Sequence, residues 1–497
     1  MRGVFSNMAS PHRRAAVIAG AVVLVAAGLG GIAFGALRDS HRAGSPSPTA
    51  LASPGTNPAA NPSAGPAASS PATASGSSAP SPSATTRRSG PAGNPYATNA
   101  VLGDPAVDPG PDPIFASDPD LRRTESYPER VSKPGDHALA AGTDEFQYDV
   151  TTHALRTQLA ARKAKLAAAT GIALYLTGGT ALADADLSAL QTAGHDLGLP
   201  NLSRLYVYNL RPIQGGRQCT PDSGLACAGQ TARGGLFPYL WFNGWWDTWV
   251  RHLVLDDLLA VPDGAFSNHN FADVSLRSAR TIGIMGFGHA PHAKLSVLYL
   301  PSVRTIAHDA FRRNQGLTKV VLPRATTVDD YAFDDASSLR YFTAPQLVRL
   351  GRNGLNDSGA LVSVNFPKLQ YLGINSINGL LTGLRLPALT TVDKSAISHF
   401  PHLRWLYAPS LATLRDDAVT DNPRLGSVYL PRAGELDARA LRGNPALRQI
   451  VLGDRPPAQK QDVFAGTGHA TIYHTGTAGA WAGFVPAGNP SLPVQSR

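Results

Sequence analysis

Seven prolines, Pro301, Pro323, Pro345, Pro367, Pro387, Pro409 and Pro431, recur at steps of 22 residues with a single step of 20. Each closes a short apolar run: LYLP, VVLP, FTAP, VNFP, LRLP, LYAP and VYLP. A leucine precedes each run at a fixed distance: Leu295, Leu317, Leu339, Leu361, Leu381, Leu403 and Leu425. Few folds accommodate such a period. Within a unit the apolar positions alternate, which is the side-chain period of a strand, so Leu298 and Leu300 point to one face and Tyr299 to the other. Proline has no N–H to give a ladder and ends each strand. The rest of the unit must carry the chain back before the next strand starts, which makes successive strands parallel. One such unit cannot enclose its own apolar side chains, whereas stacked neighbours can, and the result is a solenoid with a continuous core.

The pattern extends outward. Leu447, Ile450 and Leu452 read as a later strand; Phe271, Val274 and Leu276, and Val250, Leu253 and Leu255, as earlier ones; Leu202, Leu205 and Val207 also fit, and Leu174 with Leu176 more faintly. The expected fold class is therefore an α/β-type solenoid with a parallel β-sheet of about twelve short strands and irregular or short helical returns. A second apolar pair follows each strand, as in Ile306 with Phe311 and Val328 with Phe333.

These units resemble the leucine-rich repeat family, and within it the bacterial surface-antigen branch called BspA-like. The copies that carry the resemblance best are LSVLYLPSVRTIAHDAF (295–311) and LTKVVLPRATTVDDYAF (317–333), and the segments DNPRL (421–425) and GNPAL (443–447) look like the usual lead-in to a strand. The resemblance covers residues 171–475. Leu355, Ile377, Ile397, Val419 and Leu441 depart from it by replacing the phenylalanine, so those units are expected to pack a smaller side chain with a local change in curvature. The resemblance implies a cell-surface recognition module and no catalyst.

The residues between core positions project from the sheet. Tyr299, Tyr341, Arg385, Trp405, Tyr407 and Tyr429 are the candidates for one ligand-binding surface, because Tyr, Trp and Arg dominate binding hot spots and aromatic faces stack on sugar rings. Aromatic residues also favour strands for packing reasons alone. The expected ligand is a protein or a cell-envelope polysaccharide.

The amino-terminal part sets the compartment. Residues 15–37 carry no charge and would span roughly 30 Å of hydrocarbon as a helix. Arg2, Arg13 and Arg14 precede them, which keeps the amino terminus in the cytoplasm. The expectation is a single-pass anchor with everything after it extracellular, or a secreted chain if this segment is cleaved near Ala33–Ala36. Residues 43–99 hold eleven prolines and one aromatic residue, and residues 100–135 continue with DPAVDPGPDP and SDP. Such a composition cannot offset the entropy of ordering, so 38–135 reads as a disordered linker. The net charge of +9 includes +4 from residues 1–42 alone, and the remaining excess is too weak for a nucleic-acid binder.

Smaller features complete the reading. Residues 136–170 are expected to hold a capping helix, with HALRTQLAARKAKLAAAT (153–170) covering the open first edge of the sheet. Residues 476–497 read as a tail. Cys219 and Cys227, in an exported chain, are expected to form a disulfide. FPYLWFNGWWDTWV, with Trp241, Trp245, Trp246 and Trp249, is either an aromatic contact patch or a plug in the irregular early coils. His289 and His292, with His269 and Asp273 upstream, are a weak metal candidate, and no catalytic motif stands out. No catalytic residue, cofactor or metal is expected; a structural envelope spacer and a hydrolase sited near the Trp- and His-rich early coils are the alternatives.

Overall fold

The computed structural model describes residues 105–123, 134–135, 139–178, 182, 184–209 and 249–497. The chain divides into two units, 1–85 and 86–497, and all described residues belong to the second. The expected anchor at 15–37, most of the linker, Cys219 and Cys227, and Trp241, Trp245 and Trp246 lie outside the described residues.

The described coils form a solenoid of parallel strands with little helix. Each coil contributes a strand to a main ladder, as in Val297–Tyr299, Lys319–Val321 and Tyr341–Thr343, which pair in parallel and in register through Lys319↔Val297 and Lys319↔Tyr341. Eight residues after the start of most of these strands comes a two-residue segment, such as Thr305–Ile306 or Thr327–Val328. These segments build a second parallel ladder of ten strands. The coil then turns through residues with left-handed backbone, often two per coil and four positions apart: Asp309 and Arg313, Tyr331 and Asp335, Asn353 and Asp357, Asp417 and Asp421. Asp and Asn are the side chains that tolerate this conformation best. At this corner the N–H of Phe311 donates to Ala332 O at 2.7 Å and that of Phe333 to Gly354 O at 2.9 Å. Central coils such as those of Lys319–Val321 and Tyr341–Thr343 are thus tied to the next at three places.

The main ladder breaks twice, between Asp273–Ser275 and Val297–Tyr299 and between Ser363–Asn365 and Gly383–Arg385. The first step is two residues longer than the 22-residue unit and the second two shorter. The second ladder runs through both, by Thr281↔Thr305 and Tyr371↔Thr391. The length changes are therefore taken up in the return segment after the second ladder.

One apolar core runs the length of the stack, from Phe146 to Leu492. Removing a Leu, Val, Ile or Phe side chain from water stabilises by about 1.5–3 kcal/mol. Phe266, Phe287, Phe311 and Phe333 stack ring on ring, with centroids 4.9, 5.3 and 5.1 Å apart. Where Leu355 and Ile377 replace this phenylalanine, Phe342 and Phe366 enter the core from the strand side of the same two coils, and the aromatic chain continues edge-on as Phe333–Phe342 and Phe342–Phe366. The volume lost at one corner is supplied at the other.

Three expectations differ from the structure. The helical stretch before the repeats is split into Leu155–Ala161 and Lys163–Leu166. It lies between two paired strands, Thr143–Asp149 and Gly171–Thr177, so the first edge of the sheet is a strand and the helices are its return. At the other end Val494–Ser496 pairs with Thr471–His474, so the expected tail supplies a last strand. Third, residues 105–123, expected as linker, lie on the sheet face.

Candidate binding face

The face opposite the core carries the six nominated side chains, and the structure treats them in two groups. Residues 105–123 cross the strands in reverse order, held by the side chains at the following contacts. The Arg385 guanidinium donates to both oxygens of Asp108 at 2.5 and 2.6 Å. Ser363 Oγ donates to Asp112 at 2.6 Å. Lys319 Nζ donates to Asp118 at 2.8 Å and Asp120 at 2.9 Å. Phe115 and Leu121 are buried with Tyr299 and Val321, against half-buried Ile114 and Tyr341. The Arg123 guanidinium lies 5.7 Å from the centre of the Tyr299 ring.

Residues 105–123 form a strap that is shaped by its aspartates. Asp108, Asp112 and Asp118 each accept the backbone N–H two residues on, from Gly110, Ile114 and Asp120 at 2.9–3.0 Å. Each is followed by proline, at Pro109, Pro113 and Pro119, which fixes the next φ. An Asp-Pro unit therefore makes a tight turn and aims a carboxylate at the sheet in one step. The hydrogen bond from Arg385 holds Asp108 below the usual carboxylate range. Burial pushes Asp118 up, but the Lys319 ammonium and the N–H of Asp120 outweigh it, and its net shift is downward. Lys319 is raised by its hydrogen bonds to Asp118 and Asp120.

Beyond Arg385 the face is finished differently. Trp405 pairs in register with Gly383, and its indole lies over that glycine. A Cβ at Gly383 would stand 2.0 Å from two carbons of the ring, so only glycine fits beneath it. Tyr407 and Tyr429, paired across the next strands, stack with centroids 5.2 Å apart and planes at 11°. Burial and the neighbouring Asp108 carboxylate raise the Tyr407 hydroxyl. Thus Tyr299, Tyr341 and Arg385 are engaged by the strap, while Trp405, Tyr407 and Tyr429 form a half-buried aromatic row beside it.

Two of the other candidates, His269 and Trp249, have structural roles. His269 is buried; the Phe271 N–H donates to its Nδ1 at 3.1 Å, so Nε2 carries the hydrogen that Asn314 Oδ1 accepts at 3.2 Å. Burial holds its pKa down at about 3. Asn314, Asn422 and Asn444 tie coil to coil by donating to the carbonyls of Phe287, Ile397 and Val419, which is the physical content of the DNPRL and GNPAL lead-ins. No group of three or more His, Cys, Asp or Glu among the described residues is placed to hold a metal ion. Trp249 packs on the core and donates from Nε1 to Leu190 O at 2.6 Å. No helix among the described residues is long and apolar enough to cross a membrane.

The sequence signal for the strap was the recurrence of Asp-Pro itself, four dipeptides within residues 104–119. The signal for Trp405 was the glycine one repeat earlier at the same position.

No family model matches this chain, and no curated protein matches it. Among solved structures, a leucine-rich cell surface protein from Faecalibacterium prausnitzii is 14% identical over 50% of this chain and 87% of that one, with a TM-score of 0.27. The pneumococcal vaccine antigen PcpA is 13% identical over 50% of this chain and 79% of its own, at a TM-score of 0.28. A leucine-rich repeat protein from Bacteroides ovatus is 15% identical over 52% and 86%, at 0.26.

Proposed function

We propose that the chain is an exported surface solenoid of the BspA-like kind, held at the membrane by residues 15–37 or secreted if they are cleaved, that recognises a protein or envelope polysaccharide through its sheet face. The observation that carries this reading is the aromatic row of Trp405, Tyr407 and Tyr429, set on a rigid parallel ladder beside the Arg385 guanidinium. Stacked rings of this kind present broad apolar area with polar edges and lose little conformational entropy on binding. A module of this design needs no resident cofactor and no catalytic group. Retention of the full chain on immobilised envelope polysaccharide, or on a captured partner protein, tests it. Trp405→Ala and Tyr407→Ala should each lower retention about tenfold, the usual size of a hot-spot loss above 1 kcal/mol, with the thermal unfolding curve nearly unchanged. Unchanged retention in both variants refutes the reading.

A further inference from the structure

The strap is a peptide already seated on a peptide-sized site, and it shows what that site accepts. The strands from Val297 to Arg385 offer two cations, Lys319 and Arg385, separated along the ladder, with a hydroxyl at Ser363 between them and an apolar patch of Tyr299, Val321 and Tyr341 at one end. The strap answers each in order with Asp108, Asp112, the Asp118–Asp120 pair, and the apolar Phe115 and Leu121. The hydrogen bonds and ion pairs described between strap and sheet are made by side chains, so replacing the strap leaves the ladder intact. A cover needed only for solubility would bring apolar side chains and any polar rim. Here the carboxylates are spaced to the strands, and the Asp-Pro turns set that spacing.

We propose that this stretch of the sheet face is a binding site for acidic, proline-spaced extended peptides of a partner protein, and that residues 105–123 are its built-in competitor. The proposal deepens the recognition role above and rests on it. A partner segment gains access by displacing the strap, whose covalent attachment gives it an effective concentration in the millimolar range. The site is therefore closed to weak acidic peptides and open to those that match the carboxylate spacing.

The test uses the full chain and a fluorescent synthetic peptide with the sequence of residues 104–123. Asp108→Asn, Asp118→Asn and Asp120→Asn together remove the three carboxylates that meet Arg385 and Lys319 while leaving side-chain oxygens to accept the turn N–H groups. This opened chain should bind the peptide at least tenfold tighter than wild type, since the competent fraction rises. Adding Lys319→Ala and Arg385→Ala should abolish the gain. A peptide that keeps the Asp-Pro positions, Phe115 and Leu121 but changes the other residues should bind within a few-fold. A scrambled peptide of equal composition should bind at least tenfold more weakly. Phe115→Ser provides a second, independently opened chain. The proposal is overturned if neither opened chain gains affinity, if the cation-free variant retains it, or if the scrambled peptide binds equally well. A concentration-dependent dimer formed by the opened chain in place of peptide binding would assign the face to a second copy and also overturn it. Trp405→Ala should leave peptide binding unchanged, so loss of retention in that variant alone separates failure of this site from failure of the wider recognition reading.

Discussion

Between Val297 and Arg385 the sheet face is covered by a segment from elsewhere in the chain, whereas between Trp405 and Tyr429 it is finished by the strands' own rings. The backbone beneath is parallel in-register pairing in both stretches, in two sheets joined through the continuous second ladder. What differs is how the outer side chains are satisfied. In the first, cations meet carboxylates that arrive from about 200 or more positions away, at 199 to 277 residues of separation. In the second, an indole rests on a glycine one strand away and two phenols stack. Charged contacts with partly exposed partners weaken with salt and pH, and ring packing does not. The comparison therefore separates a detachable cover from a fixed surface.

The largest test removes the support common to both. Phe311 is fully buried within the stacked phenylalanines, so Phe311→Ala should cost about 3–5 kcal/mol in denaturant unfolding. Hydrogen exchange should rise in both stretches together; protection retained in either would show that the coils do not share one core.

A smaller effect separates them. Gly383→Ala places a methyl group where the Trp405 ring lies, and overpacking of this kind costs about 1–3 kcal/mol. The near-ultraviolet circular dichroism should change while the strap keeps its resistance to protease. An unaltered spectrum would mean that the indole does not rest on the glycine in solution.

The converse variant, Lys319→Ala with Arg385→Ala, should speed proteolysis within residues 105–123 about tenfold and shift global stability by less than about 1 kcal/mol, because its ion pairs are partly exposed. Equal proteolysis rates would show that the apolar contacts of Phe115 and Leu121 suffice.

The mildest perturbation is acid. Asp108 and Asp118 sit below their ordinary pKa when docked, so their contribution is complete above about pH 4–5 and fades as pH falls further through the docked values. Lys319 is shifted upward, so its contribution is complete below about pH 10 and is lost on going higher. Exchange of strap amides, corrected for intrinsic rates, should be slowest between these limits and faster at pH 3. A flat profile would remove the electrostatic account of the cover.

The repeat was readable because proline, leucine and strand alternation coincide every 22 residues, and a local pattern suffices to see them. The second ladder was not, because Thr305–Ile306 and its equivalents are two residues long and two residues show no period. The edge strand Thr143–Asp149 alternates Phe146 and Tyr148 with polar residues, but it lacks the proline that marks the seven central coils. The six face residues follow from strand parity alone. Which of them meet the strap does not, since residues 105–123 have the composition of a linker and their partners lie far away in sequence. Local reading sees too little apolar surface there to favour order. It cannot see Tyr299 and Val321 waiting to receive Phe115 and Leu121.

The strap's direction has a mechanical consequence. It enters over Arg385 and runs back towards Tyr299, against the order of the coils. A load arriving from the amino-terminal side meets the guanidinium clamp first, then Ser363, then Phe115, then the lysine's two carboxylates, and Leu121 last. Tension would thus undo the cover like a zip, one aspartate at a time, and uncover the sheet from the strand beside the aromatic row.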